Sequence, residues 1–285
     1  MPGPLLAVDA PSLMYRAFFA LPKSITGTAD RPVNALLGMA NLVLQVVDAQ
    51  QPRATVLCWG AEAAVYRKQL FPPYHAARPP MPDELQWQWE VAPQLFDAFG
   101  WPSIDGGDLE ADDVLGALAL AEVGAGGSAL LYTGDRDMFQ CVGEQVRVLF
   151  PAKGGPDDLG PAEVRGRYGV EPAQVPDLIA LRGDPSDGLP GAKGIGEKGA
   201  ALLLQRFGDL EGTLAAAGSA TSEMTPRQRA ALQDDADQLR AFREIATLQP
   251  IALERPADAP LDPARAADAA AALGMGRLAQ RLQAR

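Results

Sequence analysis

Short apolar runs alternate with longer amphipathic segments through the first half of the chain. The apolar runs have the length of buried strands and lie at 5–8, 54–58, 101–104, 128–132 and 145–150. The segments 33–49 and 83–99 between them have the apolar spacing of helices. Because strands that alternate with helices form parallel sheets covered on both faces, the pattern predicts an α/β fold with a parallel-rich central sheet flanked by helices.

The pattern becomes helical beyond Pro161. Helices are predicted at 161–168, 174–181, 197–207, 226–247 and 263–285. We therefore predict two domains, an α/β domain at 1–160 and a helical domain at 161–285.

A glycine-punctuated turn at 182–198 opens the helix predicted at 197–207. Gly191, Gly194 and Gly196 allow the backbone to turn tightly and to come close to a partner. The unpaired amides at a helix start favour phosphate oxygens, and Lys193 and Lys198 add positive charge. The stretch predicts a phosphate-binding turn, and a surface loop with capping aspartates is the alternative.

Carboxylates follow predicted strands or open predicted helices at several places in the chain. They are Asp9, the group Glu110, Asp112 and Asp113, the pair Asp135 and Asp137, and the pair Asp184 and Asp187. The carboxyl ends of parallel strands meet at one edge of a sheet, where ligands usually bind. Oxygen ligands suit a hard divalent cation such as Mg²⁺. Acidic residues in a first helical turn also stabilise the helix dipole, which is the plainer interpretation of the group at 110–113.

Composition limits the class of protein. The chain has 285 residues, 47% of them hydrophobic, which is enough for a substantial core. Apolar runs fall short of a membrane span and the N-terminus lacks a secretory pattern, so we expect a cytoplasmic protein. Cys58 and Cys141 are too few for a disulfide framework and are expected to be buried thiols. A net charge of −11 argues against a broadly basic nucleic-acid surface, although basic residues can still gather on one face.

Several motifs occur in a specific order over most of the chain. They are Val8-Asp9, Tyr-Arg-Ala-Phe-Phe-Ala-Leu at 15–21, Leu-Glu-Ala-Asp-Asp at 109–113, Thr-Gly-Asp-Arg-Asp at 133–137, and Gly-Asp-Pro-Ser-Asp at 183–187 followed by Gly-Ile-Gly-Glu-Lys at 194–198. Together they resemble the bacterial 5′-nuclease family, which includes the 5′–3′ exonuclease domain of DNA polymerase I and is related to the flap endonucleases. The resemblance implies a PIN-like catalytic domain at 1–160, with an arch at about 61–84, and a helical DNA-binding domain at 161–285 with a helix-hairpin-helix (H3TH) turn at 188–207.

The resemblance also implies roles for individual residues. Two Mg²⁺ or Mn²⁺ ions would be held by two groups, Asp9, Glu110, Asp112 and Asp113 in one and Asp135, Asp137, Asp184 and Asp187 in the other. Arg16, Arg67, Asp112 and Asp135 would be catalytic, and the two arginines would hold substrate phosphates. DNA would be bound by Arg78, Gly191, Lys193, Gly194, Gly196 and Lys198, and a K⁺ ion could sit at the turn. The expected partner is DNA with 5′ flaps, ends or branches, bound by a monomer.

Two positions depart from the family pattern. Gly60 stands where the family has an aspartate ligand, and His75 falls where a family lysine contacts the scissile phosphate. We expect one cation to bind more weakly for this reason and expect Gly60→Asp to lower the metal requirement. The alternative interpretation of the segment at 61–84 is a Pro-rich surface loop.

Three classes of function therefore remain open. The first is a structure-specific 5′–3′ exonuclease or flap endonuclease that uses two metal ions. The second is a catalytically weakened relative that recognises branched or flapped DNA, which the departures at Gly60 and His75 favour. The third is a phosphatase or RNA-processing hydrolase, which would not need the glycine-rich turn.

Overall fold

The computed structural model describes residues 3–219 and 223–285. Within them, six strands form one sheet in the order β3-β2-β1-β4-β5-β6. The strands are β1 Leu5–Asp9, β2 Ala54–Trp59, β3 Ser103–Asp105, β4 Ala129–Tyr132, β5 Val146–Phe150 and β6 Asp157–Leu159. The first five pair in parallel and β6 pairs antiparallel to β5. Every residue of β1, β2 and β4 is buried, as expected for apolar strands covered on both faces.

Helices cover the sheet and then continue into a helical region. Those of the first part are α1 Ala10–Ala20, α2 Asn34–Gln50, α3 Val65–Leu70, α4 Asp83–Asp97 and α5 Ala111–Gly124. Those of the second part are α6 Pro161–Tyr168, α7 Val175–Arg182, α8 Glu197–Phe207, α9 Leu210–Gly218, α10 Pro226–Asp234, α11 Ala236–Ala246, α12 Pro263–Ala272 and α13 Gly276–Gln283. In the described ranges, no helix is both long and apolar enough to cross a membrane.

Most predicted elements lie within one or two residues of the observed ones. The helices predicted at 226–247 and 263–285 were each too long, because each contains a break. The first breaks at Asp235, where two adjacent aspartates are poor helix formers. The second breaks at Gly274, whose φ of 79° suits glycine. The short elements α3, β6 and α9 were not predicted.

The two faces of the sheet carry different cores. One core joins the sheet to α5 and to the helical region from α6 to α11. The other contains α1, α2 and α4, and it also contains the apolar sides of α12 and α13. The predicted helical domain at 161–285 needs correction here, because its last two helices pack on the α/β part. The chain reaches that face through an extended segment, in which Ala259 N donates to the Arg53 carbonyl (2.9 Å) and Asp262 N to the Phe99 carbonyl (2.9 Å).

Candidate active site

A cavity of about 1120 Å³ lies at the carboxyl edge of the sheet. Seven of the predicted metal ligands line it, from separate elements, and Glu62 and Glu197 line it as well; the seven are Asp9, Glu110, Asp112, Asp135, Asp137, Asp184 and Asp187. Asp9 ends β1, Glu110 precedes α5, the pair at 135 and 137 follows β4, and the pair at 184 and 187 follows α7. The structure thus brings together seven of the eight predicted metal ligands. Asp113 does not line the cavity.

Asp9 is fixed by hydrogen bonds to both carboxylate oxygens. Ser12 N donates to Oδ1 (2.9 Å), which caps α1, and Thr133 Oγ1 donates to Oδ2 (2.6 Å). Burial raises the pKa of Asp9, while the bonds from Thr133 and Ser12 act in the opposite direction. The side chain therefore stays in place at the centre of the sheet edge.

The other aspartates raise one another's pKa. Burial, followed by the charges of Asp135 and Asp9, raises the pKa of Asp112 well above its ordinary value. Burial, with the charges of Asp187, Asp9 and others, raises the pKa of Asp135 to about 7. The pKa of Asp137 rises for the same two reasons, burial and neighbouring carboxylates. The cavity therefore carries more negative charge than its cationic side chains neutralise. Asp135 interacts with members of both predicted metal-ligand groups, Asp9 in one and Asp187 in the other.

The donor set fits divalent cations by its chemistry. Among residues 3–219 and 223–285, no three His, Cys, Asp or Glu side chains stand close enough together to hold a metal ion in their present positions. An all-oxygen set that carries excess negative charge and faces an open cavity is suited to Mg²⁺ or Mn²⁺ rather than to softer metals.

Arg67 occupies a different place from the one predicted. The side chain is 3% exposed, and its guanidinium pairs with Glu110 Oε1 (3.0 Å) and Asp113 Oδ1 (2.9 Å). Asp113 is fully buried and also accepts from Gln249 N (2.8 Å). The predicted phosphate contact by Arg67 and the predicted metal ligation by Asp113 are therefore both corrected, because each group is already engaged by the other inside the protein.

Residues of the predicted arch contact Asp187. His75 Nε2 lies 3.0 Å and Arg78 Nη2 3.1 Å from Asp187 Oδ1. His75 Nδ1 lies 2.9 Å from the Glu62 carbonyl oxygen, which can only accept, so Nδ1 carries a proton in this arrangement. The ring also stacks on Tyr74, with centroids 3.8 Å apart. The segment that was predicted as an arch thus reaches the carboxylate cluster.

The glycine-rich turn presents an exposed edge of backbone and charge. Ala192 and Ile195 are buried and anchor the turn, whereas Lys193, Gly194, Gly196 and Lys198 are exposed. Within the described part of the chain, neither lysine forms an ion pair with a carboxylate. Gly196 precedes α8 and provides no side-chain cap, so the backbone N–H groups at the start of α8 are open to a partner. Gly191 has a packing role, since a Cβ there would lie 2.3 Å from Gly183 N.

Arg16, a predicted catalytic residue, lies on the surface of α1. It is exposed on α1 and does not line the cavity. Its charge lowers the pKa of Tyr132, although burial is the larger effect and raises that pKa to about 12. A phosphate contact by Arg16 stays a prediction.

Two family models match the chain in sequence. The model for the N-terminal resolvase-like domain of 5′-3′ exonucleases matches residues 4–169. The model for the C-terminal SAM fold of 5′-3′ exonucleases matches residues 170–266. The chain belongs to the 5′-3′ exonuclease family. The boundary between the two matched regions falls within the turn that ends α6.

Relatives support this membership. A 5′-3′ exonuclease of Mycobacterium tuberculosis is 37% identical and covers 99% of this chain and 98% of its own. A DNA polymerase I of Thermus thermophilus is 38% identical over 74% of this chain, which is only 25% of that longer protein. Among solved structures, T5 D15 protein co-crystallised with metal ions aligns with a TM-score of 0.71 at 16% identity, covering 98% of both chains. The catalytic core of Rad2 with a DNA substrate aligns with a TM-score of 0.64 at 14% identity, covering 99% of this chain and 91% of that one.

Packing explains why this member of the 5′-3′ exonuclease family has glycine at position 60, where the family pattern has aspartate. A Cβ at Gly60 would lie 2.4 Å from the Leu109 carbonyl oxygen and 2.6 Å from the Glu110 carbonyl carbon. Ala61 N also donates to that Leu109 carbonyl (2.8 Å), which holds the two segments together. The expectation that Gly60→Asp restores a ligand is therefore corrected, because backbone already occupies the space of the side chain.

Sequence reasoning missed two residues of the site. Tyr74 lies in the predicted arch and has no predicted role of its own; it is 4% exposed and its hydroxyl donates to Glu110 Oε2 (3.1 Å). Arg182 lines the cavity, forms an ion pair with Glu197 and lies 3.7 Å from Asp184 Oδ2. The position of Arg182 directly before the Gly-Asp-Pro-Ser-Asp motif was the signal that could have found it.

Proposed function

We propose that the protein is a structure-specific 5′–3′ exonuclease and flap endonuclease that hydrolyses DNA phosphodiester bonds. The observation that carries the proposal is the cavity onto which four separate parts of the chain direct seven of the predicted acidic residues. A catalytic site built from separate strand ends is the expected arrangement in an open α/β sheet. Family membership and relatives that are named as 5′-3′ exonucleases support the same reaction.

Two Mg²⁺ or Mn²⁺ ions are proposed as cofactors. Asp9, Glu110 and Asp112 would hold one, and Asp137, Asp184 and Asp187 the other, with Asp135 between them. Such ions activate water and stabilise the leaving oxygen in phosphodiester hydrolysis. Solved neighbours co-crystallised with metal ions or zinc support a divalent-metal site. A K⁺ ion at the turn is part of the proposal, and the exposed Gly194 and Gly196 leave the backbone there accessible.

Cationic groups beside the cavity are proposed to position the substrate. Arg182 lines the cavity near Asp184, and Arg78 is partly exposed beside Asp187. Each can exchange its carboxylate for a phosphate oxygen, which would orient the strand at the metal ions. Lys193 and Lys198 would hold the duplex at the turn by contacts to phosphate, which position DNA without reading its sequence.

The proposed partner is DNA with a 5′ flap, end or branch, bound by a monomer. Solved neighbours in complex with DNA support this class of substrate. Cys58 and Cys141 are free thiols, which suits the reducing environment of the cytoplasm, the compartment that we propose.

A second candidate function is the binding of branched DNA with weakened catalysis. His75 in place of the family lysine favours it, because an imidazole contact with Asp187 offers less charge to a phosphate than an ammonium does. This candidate shares the fold, the turn and the substrate. It differs only in the rate of cleavage.

Cleavage of labelled oligonucleotides tests the proposal. The substrates are a 5′-flapped duplex, the same duplex without the flap, and a flap made of RNA. We expect Mg²⁺-dependent release of the 5′ fragment from the DNA flap, and no product with EDTA. Binding of flapped DNA without cleavage at any Mg²⁺ or Mn²⁺ concentration would favour the second candidate, and preferential cleavage of the RNA flap would favour an RNA-processing hydrolase.

A further inference from the structure

Glu110 is held by donors that all come from the segment between β2 and α4. Ala64 N donates to Oε1 (2.7 Å), Arg67 Nη1 lies 3.0 Å from the same oxygen, and Tyr74 Oη donates to Oε2 (3.1 Å). Glu110 is 7% exposed and lines the cavity. Its carboxylate is thus fixed from one side while it faces the carboxylate cluster on the other.

Arg67 is itself fixed on three sides. Its Nη2 and Nη1 donate to the two oxygens of Asp113 (2.9 and 3.2 Å), and its Nε donates to the Ile245 carbonyl at the end of α11 (3.0 Å). Asp113 also accepts from the backbone N–H groups of Glu110 (3.1 Å) and Gln249 (2.8 Å). The guanidinium therefore joins the start of α5 to the helical region.

A phosphate contact by Arg67 would require this arrangement to break. Turning the guanidinium outward would leave Glu110 and Asp113 as buried carboxylates without their cationic partner, which is strongly unfavourable. Tyr74 has the same constraint, because its hydroxyl points to Glu110 rather than to solvent. Both side chains line the cavity, but their polar groups are engaged with Glu110.

We propose that Arg67 and Tyr74 are positioning residues that preset Glu110 for a divalent cation, and that Asp113 anchors Arg67. The inference rests on the proposed metal-dependent function. Hydrogen-bonded partners behind a metal ligand fix its orientation, and their loss commonly weakens metal binding about 10- to 100-fold. Arg67 and Tyr74 thus contribute to metal affinity and leave DNA affinity unchanged.

Mn²⁺ binding to the full-length protein in the absence of DNA tests this assignment, with electron paramagnetic resonance as the readout. The variants are Tyr74→Phe, Arg67→Lys, Glu110→Gln and the double variant Tyr74→Phe/Glu110→Gln. Lys68→Ala is the matched control, since it removes an exposed cation one position away on α3. We expect Tyr74→Phe and Arg67→Lys to weaken Mn²⁺ binding about 10-fold, and Lys68→Ala to have no effect. In the Glu110→Gln background, Tyr74→Phe should add nothing, because it acts through Glu110.

A parallel measurement of flapped-DNA affinity in Ca²⁺ separates the alternatives. Unchanged affinity in Tyr74→Phe and Arg67→Lys supports positioning. Normal Mn²⁺ binding together with weaker DNA binding in Arg67→Lys would make Arg67 a phosphate contact and overturn the inference. If wild type binds Mn²⁺ and shows the predicted variant effects but cleaves no DNA, the positioning roles stand and the nuclease function fails. If wild type binds no Mn²⁺, both fail.

Discussion

Asp135 interacts with carboxylates of both predicted groups, Asp9 in one and Asp184 and Asp187 in the other. Burial and the charges of Asp187, Asp9 and Asp184 raise its pKa to about 7. Burial, and after it the neighbouring carboxylates, therefore disfavour the ionised form that a cation would need. A bound divalent cation would reverse this balance, which makes Asp135 a direct link between pH, metal binding and stability.

Stability without divalent cations should depend on pH through this residue. The folded pKa of about 7 exceeds the ordinary value of 3.8, so the folded state binds more protons than the unfolded state between those pH values. Stability therefore falls as pH rises from about 4 to about 7. In EDTA at pH 8, we expect Asp135→Asn to melt about 2–4 °C above wild type and the difference to vanish near pH 4. If Asp135→Asn and wild type melt at the same temperature at both pH values, neighbouring groups already compensate the charge on Asp135.

Gly60 shows how a position that looks like a lost ligand can be fixed by packing. A side chain at 60 would overlap the backbone that leads into Glu110. We expect Gly60→Asp to raise the Mg²⁺ concentration needed for cleavage, because it displaces Glu110. Gly60→Ala is the control, since it adds the same Cβ without a carboxylate and should have a similar effect. A lower requirement in Gly60→Asp alone would show that the backbone yields and that the carboxylate becomes a ligand.

At the scale of elements, the turn before α8 offers the clearest surface for DNA. Gly196 is exposed, and a Cβ built on it meets nothing within 4 Å. Gly196→Val should therefore leave the fold intact while keeping a duplex away from the start of α8. We expect duplex affinity to fall about 10-fold or more, which corresponds to about 1.4 kcal/mol, while Mn²⁺ binding is unchanged. Fluorescence anisotropy with a labelled duplex provides the measurement.

Gly143→Val is the matched control for this variant. A Cβ at Gly143 also meets nothing within 4 Å, and the residue lies before β5, at the amino end of the strand. The carboxyl ends that form the site are at the opposite edge of the sheet. Equal DNA affinity in Gly196→Val and Gly143→Val would remove the turn from the DNA surface.

Elements with a clear hydrophobic pattern could be predicted from sequence. The helix within the predicted arch segment could not. The strands β1, β2 and β4 are continuous apolar runs, and α8 begins at the predicted residue. The helix α3 has only six residues and lies in a Pro-rich segment, so its periodicity is too short to read. The roles of Arg67 and Tyr74 depend on contacts with α5 and α11, which local sequence does not specify.

At the scale of the whole molecule, an extended segment ties the last helices to the α/β part. Glu122 is fully buried and accepts hydrogen bonds from Arg53 Nε (3.1 Å) and from Arg255 Nε and Nη2 (3.1 and 3.0 Å). Arg53 also pairs with Asp258 (2.8 Å). Burial opposes ionisation of Glu122, but the two arginines lower its pKa overall. This network fixes the segment before α12 at the amino end of β2.

Glu122→Ala should therefore lower stability without altering chemistry. It removes the buried carboxylate that pairs with Arg53, and breaking a buried ion pair typically costs about 3–5 kcal/mol. We expect a lower free energy of unfolding in urea and an unchanged Mg²⁺ dependence of cleavage at a temperature where the variant is folded. Asp258→Ala is the milder control, because Asp258 is exposed. A stability equal to that of wild type would show that the network does not hold the segment.

The sequence could predict the two-part architecture. It could not predict that α12 and α13 pack on the face of the sheet that carries α1, α2 and α4. Their small apolar residues, such as Ala266, Ala267 and Ala270, indicate a packing side without specifying its partner. The acidic residues that line the cavity could be predicted because strand ends and ordered motifs mark them. Asp113 could not be separated from them, since its burial under Arg67 is a property of tertiary packing.

The central claim is that the carboxylate cluster catalyses metal-dependent cleavage of 5′-flapped DNA. The most direct test is the single-turnover rate of cleavage of such a substrate in Mg²⁺, for wild type, Asp135→Ala and Asp187→Ala. Flap binding in Ca²⁺ and melting temperature are measured alongside. We expect cleavage by wild type, a loss on the order of 100- to 1000-fold in each variant, and retained folding and DNA binding. Full activity in either folded variant, or no activity in wild type at any Mg²⁺ concentration, would contradict the account.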